Sequence, residues 1–116
     1  MENSIKKYLA RLAKPIASFD WNETFNTFRG KGLALQLINQ GFDIIIVTQL
    51  NENNRTFIEN QIKQTGIPVS KIYFTNGQDK WRRLINIPGV RRHYDNNQDQ
   101  INKIKQYLPN IQAIKF

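Results

Sequence analysis

The sequence predicts an α/β protein, a three-layer sandwich around a mostly parallel sheet of about five strands. Short apolar runs alternate with segments of helical periodicity along the whole chain, the order that produces parallel sheets covered by crossover helices. The run over residues 42–47 is apolar on both alternating faces, as a central strand with helices on each side must be. Several runs end on a polar residue, at the strand end where open parallel sheets bind ligands.

The elements follow in order. Ile5, Tyr8, Leu9 and Leu12 recur at helical spacing among Lys6, Lys7, Arg11 and Lys14, which predicts an N-terminal amphipathic helix over residues 1–14, stopped by Pro15. Ile16, Ala17, Ser18 and Phe19 form a first buried strand that delivers Asp20. Leu33, Ala34, Leu37 and Ile38 share a helical face that ends at Gly41, a C-cap glycine. The second strand, residues 42–47, stops at Thr48. Phe57, Ile58 and Ile62 mark a helix over residues 53–65, closed by Gly66 and Pro68. Residues 71–75 give a third strand, and Asn76 with Gly77 a turn before a short helix carrying Lys80, Trp81 and Leu84. Residues 90–94 form a fourth strand ending at Asp95. Ile101, Ile104 and Leu108 line a final helix, and residues 111–116 supply a last, edge strand.

With 116 residues the chain has the length of one domain, read as a core over residues 16–116 preceded by the amphipathic helix. The absence of cysteine excludes disulfides, thiolate metal sites and a cysteine nucleophile. No apolar stretch approaches the roughly 20 residues of a membrane helix, and no continuous apolar stretch marks a signal peptide, so a cytoplasmic protein is expected. Seventeen Lys and Arg against nine Asp and Glu give a net charge of +8. Such a field concentrates anionic partners such as nucleotides or nucleic acid. The positive charges are scattered, however, and a solvated basic surface explains them as well; Arg82, Arg83, Arg91 and Arg92 come nearest to a patch.

Asp20, Thr48 and Asp95 each follow an apolar strand, so a parallel sheet brings them to one edge. Two carboxylates, a hydroxyl and the Lys80 ammonium are the parts needed to hold a hard cation, Mg²⁺ above all, and a phosphate. Simpler roles exist for each: aspartates at strand ends cap helices and make turns, a threonine ends many strands, and a lysine opening a helix is usually solvated. His93, inside a strand, reads as a satisfied or surface imidazole rather than a base, and Trp21 and Trp81 as packing groups.

The motifs themselves resemble those of the haloacid-dehalogenase (HAD) phosphohydrolase superfamily. Phe19-Asp20-Trp21-Asn22-Glu23-Thr24 is similar to its first motif, Asp-x-Asp-x-Thr after an apolar strand. Ile44-Ile45-Ile46-Val47-Thr48 looks like the second, Lys80 takes the place of the third, and His93-Tyr94-Asp95-Asn96-Asn97-Gln98-Asp99 looks like the fourth. The likeness runs over roughly residues 16–116 and implies a Rossmann-like, capless minimal core. It implies that Asp20 is the nucleophile that becomes an aspartyl-phosphate. It further implies that Mg²⁺ is held by Asp20, the backbone carbonyl of Asn22 and Asp95, while Thr48 hydrogen-bonds the transferring phosphoryl group and Lys80 neutralises it.

The chain departs from the pattern at Asn22, where phosphatases of the superfamily carry a second aspartate as general acid and base; an amide cannot transfer that proton. Glu23 adjoins it, although alternation along an extended chain points it elsewhere. In the fourth motif Asp95 with Asp99 fits one spacing, and Asn96 stands at an acidic position of another. Residues 25–31 are too few for a cap domain, and an open site favours large substrates.

Two functions follow. One is a Mg²⁺-dependent phosphomonoesterase acting on a nucleotide, a nucleic-acid end or another phosphorylated macromolecule. The other is a catalytically silent HAD-like domain serving as a binding or structural module for protein partners in a larger assembly. Either way, two carboxylates meeting at a strand edge repel each other, so Asp95→Asn is expected to raise or barely change the metal-free stability.

Overall fold

The computed structural model describes residues 13–116. The helix expected over residues 1–14 falls, but for its last two positions, outside the described residues.

Five strands form one sheet: β1 (Ile16–Phe19), β2 (Asp43–Thr48), β3 (Lys71–Phe74), β4 (Val90–Asp95) and β5 (Gln112–Lys115). Every pairing is parallel and the order is β3-β2-β1-β4-β5. The fold is thus the expected three-layer, Rossmann-like sandwich, with the sheet wholly rather than mostly parallel. Helices α1 (Phe28–Asn39) and α2 (Arg55–Thr65) make the crossovers on one side of β1; α3 (Trp81–Leu84) and α4 (Gln98–Tyr107) make those on the other.

Strand β2 shows why two layers of helix are needed. Ile44 and Ile46 join Ala17, Phe19, Ala34, Leu37, Ile58 and Ile62 in one core beneath α1 and α2. Ile45 and Val47 join Leu84, Val90, Ile101, Ile104 and Ala113 in a second core beneath α3 and α4. Each fully buried Ile or Phe contributes about 1.5–3 kcal/mol relative to exposure, so both faces are fixed and a register slip is excluded.

The chain leaves β1 toward β2 and β3, then returns across the sheet to β4 and β5. The order therefore reverses between β1 and β4, and a crevice opens there at the carboxyl ends of the strands. Asp20 follows β1 and Asp95 ends β4, in neighbouring register: Phe19 pairs with Tyr94, and Asp20 N–H donates to Tyr94 O at 2.9 Å.

The first strand has the ends read from the sequence, and the other elements differ from that reading by up to five residues. The first helix begins at Phe28, capped by Thr27, whose Oγ1 accepts from Gly30 N–H at 2.9 Å; its opening turn puts no apolar side chain into the core, Phe28 being exposed, and so adds nothing to the apolar stripe. Helix α2 begins at Arg55, after a separate turn at Glu52–Asn54.

Candidate functional site

Residues 20–26 form a wide turn instead of continuing the strand. Phe25 N–H donates to Asp20 O at 3.0 Å and Asn26 N–H to Trp21 O at 3.2 Å, each bond closing over five residues. Glu23 takes a left-handed conformation, φ 54. Trp21 and Phe25 are buried and stacked on each other, anchoring the turn in the core. Gly30 permits this, because a Cβ there would lie 1.8 Å from Thr24 O.

Lys80 arrives from the turn after β3. Thr75 Oγ1 donates to Gln78 O at 2.6 Å, and Gly77, at φ 82, donates its N–H to Gln49 O at 2.7 Å. The buried Gln100 of α4 then fixes the residue itself: its Oε1 accepts from Lys80 N–H at 2.9 Å and its Nε2 donates to Asp79 Oδ1 at 3.0 Å.

The result is a buried triangle. Lys80 Nζ donates to Asp20 Oδ1 at 2.8 Å and to Asp95 Oδ2 at 2.7 Å. Lys80 is 2% exposed and Asp95 0%, so these are charge-assisted bonds within the protein rather than solvated contacts. Asp95 Oδ1 accepts from Asn97 N–H at 3.0 Å, and Asp20 Oδ2 has a long bond of 3.4 Å from Thr24 Oγ1. Of the four carboxylate oxygens, Asp20 Oδ2 is the least engaged.

His93 completes the network from beneath. Its Nε2 lies 2.8 Å from Asp95 Oδ2, and its Nδ1 lies 2.6 Å from Ser18 Oγ. Burial pushes the His93 pKa down, against the pull of the Asp95 carboxylate. The neutral ring donates from Nε2 to Asp95 and accepts at Nδ1 from the Ser18 hydroxyl, the tautomer that satisfies both neighbours. Burial works to raise both carboxyl pKa values. At Asp95 the His93 hydrogen bond and the Lys80 charge overcome it and hold the value down to about 2. At Asp20 burial prevails over Lys80, and the pKa is raised.

Above the triangle lies a cavity of about 260 Å³ lined by Asp20, Asn22, Thr48, Gln49, Leu50, Lys80, Asp95, Asn96 and Asn97. The structure therefore brings together Asp20, Asn22, Thr48, Lys80 and Asp95, the full set of residues anticipated from sequence. Thr48 Oγ1 accepts from Leu50 N–H at 3.2 Å, which leaves its own proton for a ligand. Glu23 Oε2 accepts from Asn96 Nδ2 at 3.0 Å at the rim. Asp99 is absent from the cavity lining and pairs with Lys103 at 3.1 Å on α4.

One expectation is corrected. The aspartates do not face each other as bare charges, since Lys80 bridges them. His93 is a satisfied buried imidazole, as expected of one alternative, but it bonds directly to a site carboxylate. Its spacing of two from Asp95 along a strand places both on one sheet face, a signal present in the sequence. Gln100 left no such signal, because its role depends on how α4 docks.

No cluster of three or more His, Cys, Asp or Glu side chains suited to a metal occurs among the described residues. A cation here would take a carboxylate oxygen from each of Asp20 and Asp95 and the Asn22 carbonyl, with water or phosphate oxygens for the rest. Mg²⁺ accepts such sparse protein ligation, since it commonly keeps waters and binds through one or two carboxylates and a phosphate. The donor set fits.

No family model and no curated protein matches the chain. A solved structure, a chain of the Pnkp1/Rnl/Hen1 complex, is similar with a TM-score of 0.67 at 13% identity, over 90% of this chain and 46% of that one. The likeness is one of fold, and this chain spans about half the length of that neighbour. No helix among the described residues is long and apolar enough to cross a membrane.

Proposed function

We propose that this protein is a Mg²⁺-dependent, HAD-like phosphohydrolase, a cytoplasmic phosphomonoesterase that works through an aspartyl-phosphate on Asp20. Its substrate is a nucleotide, a nucleic-acid end or another phosphorylated macromolecule. The observation that carries this reading is the Asp20–Lys80–Asp95 triangle, which stands at the switch point of a parallel sheet with one Asp20 oxygen directed away from Lys80.

In this reading Asp20 Oδ2 attacks phosphorus, and the bond from phosphorus to the leaving oxygen breaks. Lys80 uses two of its three protons on the carboxylates and turns the third toward the phosphoryl oxygens. The Thr48 hydroxyl donates to the same group. Mg²⁺, when bound, supplies positive charge for the phosphoryl oxygens and offsets the carboxylate pair. Water then cleaves the aspartyl-phosphate. Asn22 offers no proton at either step, so esters with good leaving groups react fastest. Asp20-dependent phosphate release from a panel of phosphomonoesters with Mg²⁺ tests the reading; release equal in Asp20→Asn would end it.

Asn22 also favours a second reading, a catalytically silent module in a larger assembly. The structural neighbour belongs to a multi-protein complex, which suits a partner-binding role. Activity gained by Asn22→Asp in a protein otherwise inert would support it; strong native turnover would eliminate it.

A further inference from the structure

Phe28 opens α1 and is 96% exposed, the most exposed of the large apolar side chains among the described residues. The fold gives it no task. It could not be one half of a hydrophobic staple, because the staple positions around the Thr27 cap are Asn26 and Lys31, both polar.

Two grooves meet at its ring. One, of about 520 Å³, also includes Arg29, Gly32, Leu33, Tyr94, Lys115 and Phe116 in its lining; the other, of about 390 Å³, includes Lys31, Leu35 and Ile67. No carboxylate side chain lines either groove. The Arg29 guanidinium lies 3.8 Å over the Phe116 ring, which fixes its position and leaves N–H donors for an anion. Lys115 Nζ donates to Asn96 O, and Asn96 lines the cavity above Asp20. The larger groove thus adjoins the candidate site.

From this juxtaposition we infer that the Phe28 ledge binds single-stranded nucleic acid: a base stacks on the Phe28 ring, and flanking phosphates lie against Arg29, Lys31 and Lys115. Stacking needs an unpaired base, because a duplex hides its base faces. The three cations without an opposing carboxylate select a polyanion over an ordinary apolar peptide. The inference deepens the proposed function by naming its substrate class, but the contact itself requires no turnover.

The test is therefore made without Mg²⁺ and without a terminal phosphate. Fluorescence anisotropy with a labelled single strand of about 12 nucleotides should show binding that Phe28→Ala weakens about 5- to 150-fold. Arg29→Gln and Lys115→Gln should each flatten the dependence of log affinity on log salt by about 0.7. The melting temperature of Phe28→Ala should match that of the natural protein, separating lost stacking from lost folding. Equal affinity for a duplex, or unchanged affinity in Phe28→Ala, overturns the inference. So does a Phe28→Ala protein whose only change is in sedimentation, which would make the ledge a protein interface. Failure of phosphate release with intact strand binding would count against the phosphatase reading alone.

Discussion

Lys80 Nζ sits between Asp20 and Asp95, 2.8 Å from one carboxylate and 2.7 Å from the other, with almost no exposure to solvent. Replacing it with methionine leaves two buried carboxylates without a counter-charge. Breaking a buried ion pair from one side costs about 3–5 kcal/mol. The melting temperature of Lys80→Met should fall sharply in chelator and recover in part at millimolar Mg²⁺, because a divalent cation can replace the lost ammonium charge. Thermal melts with and without Mg²⁺ read both effects.

Asp95→Asn is expected to lower the metal-free stability, by about 3 kcal/mol, the reverse of what repulsion between bare carboxylates implies. Asp95 accepts from Lys80, from His93 and from Asn97 N–H, and an amide cannot accept from all three on favourable terms. Denaturant unfolding measures the loss. The Mg²⁺-dependent gain in melting temperature should vanish with it, while Asn22→Ala should keep that gain, since the ligand expected from residue 22 is its backbone carbonyl.

Acid should destabilise the protein in two stages. His93 titrates below its ordinary value of 6.5 in the folded protein, so its contribution is complete above about pH 6.5 and is lost as pH falls toward the folded value. Asp95, held at about 2 against an ordinary 3.8, adds a loss between those two values. Asp20, raised by burial, acts in the opposite sense and offsets part of the loss as it takes up its proton. Melting temperature against pH should therefore slope less in His93→Gln than in the natural protein over about pH 7 to 5.

Gly30→Ala should cost about 1–3 kcal/mol and disturb the site from a distance. The added Cβ meets the Thr24 carbonyl, so the turn holding Asp20 must move. Unfolding measurements should show the stability loss, and binding of a phosphate mimic such as vanadate should weaken with it.

The sheet was legible because β2 is apolar on both faces and because the helical stripes between strands are regular. The site was legible for a related reason: in a parallel sheet every residue that follows a strand goes to the same edge, so Asp20, Thr48 and Asp95 could be grouped without knowing strand order. What lay beyond reach was angular and local. The bridging by Lys80 depends on Gln100 and on the turn at Asn76 and Gly77, and the ledge at Phe28 depends on a helix that starts five residues before its first core-facing leucine. Hydrophobic periodicity carries no information on either.

Acid-quenched intact mass spectrometry, followed by peptide mapping, tests the central claim most directly. The protein is mixed with Mg²⁺ and acetyl phosphate, whose leaving group needs no proton. Because Asn22 activates water poorly, the aspartyl-phosphate should accumulate as a single phosphoryl adduct on the peptide containing Asp20, and Asn22→Asp should shorten its lifetime. An unmodified Asp20 peptide under these conditions, or an adduct that persists in Asp20→Asn, would contradict the account.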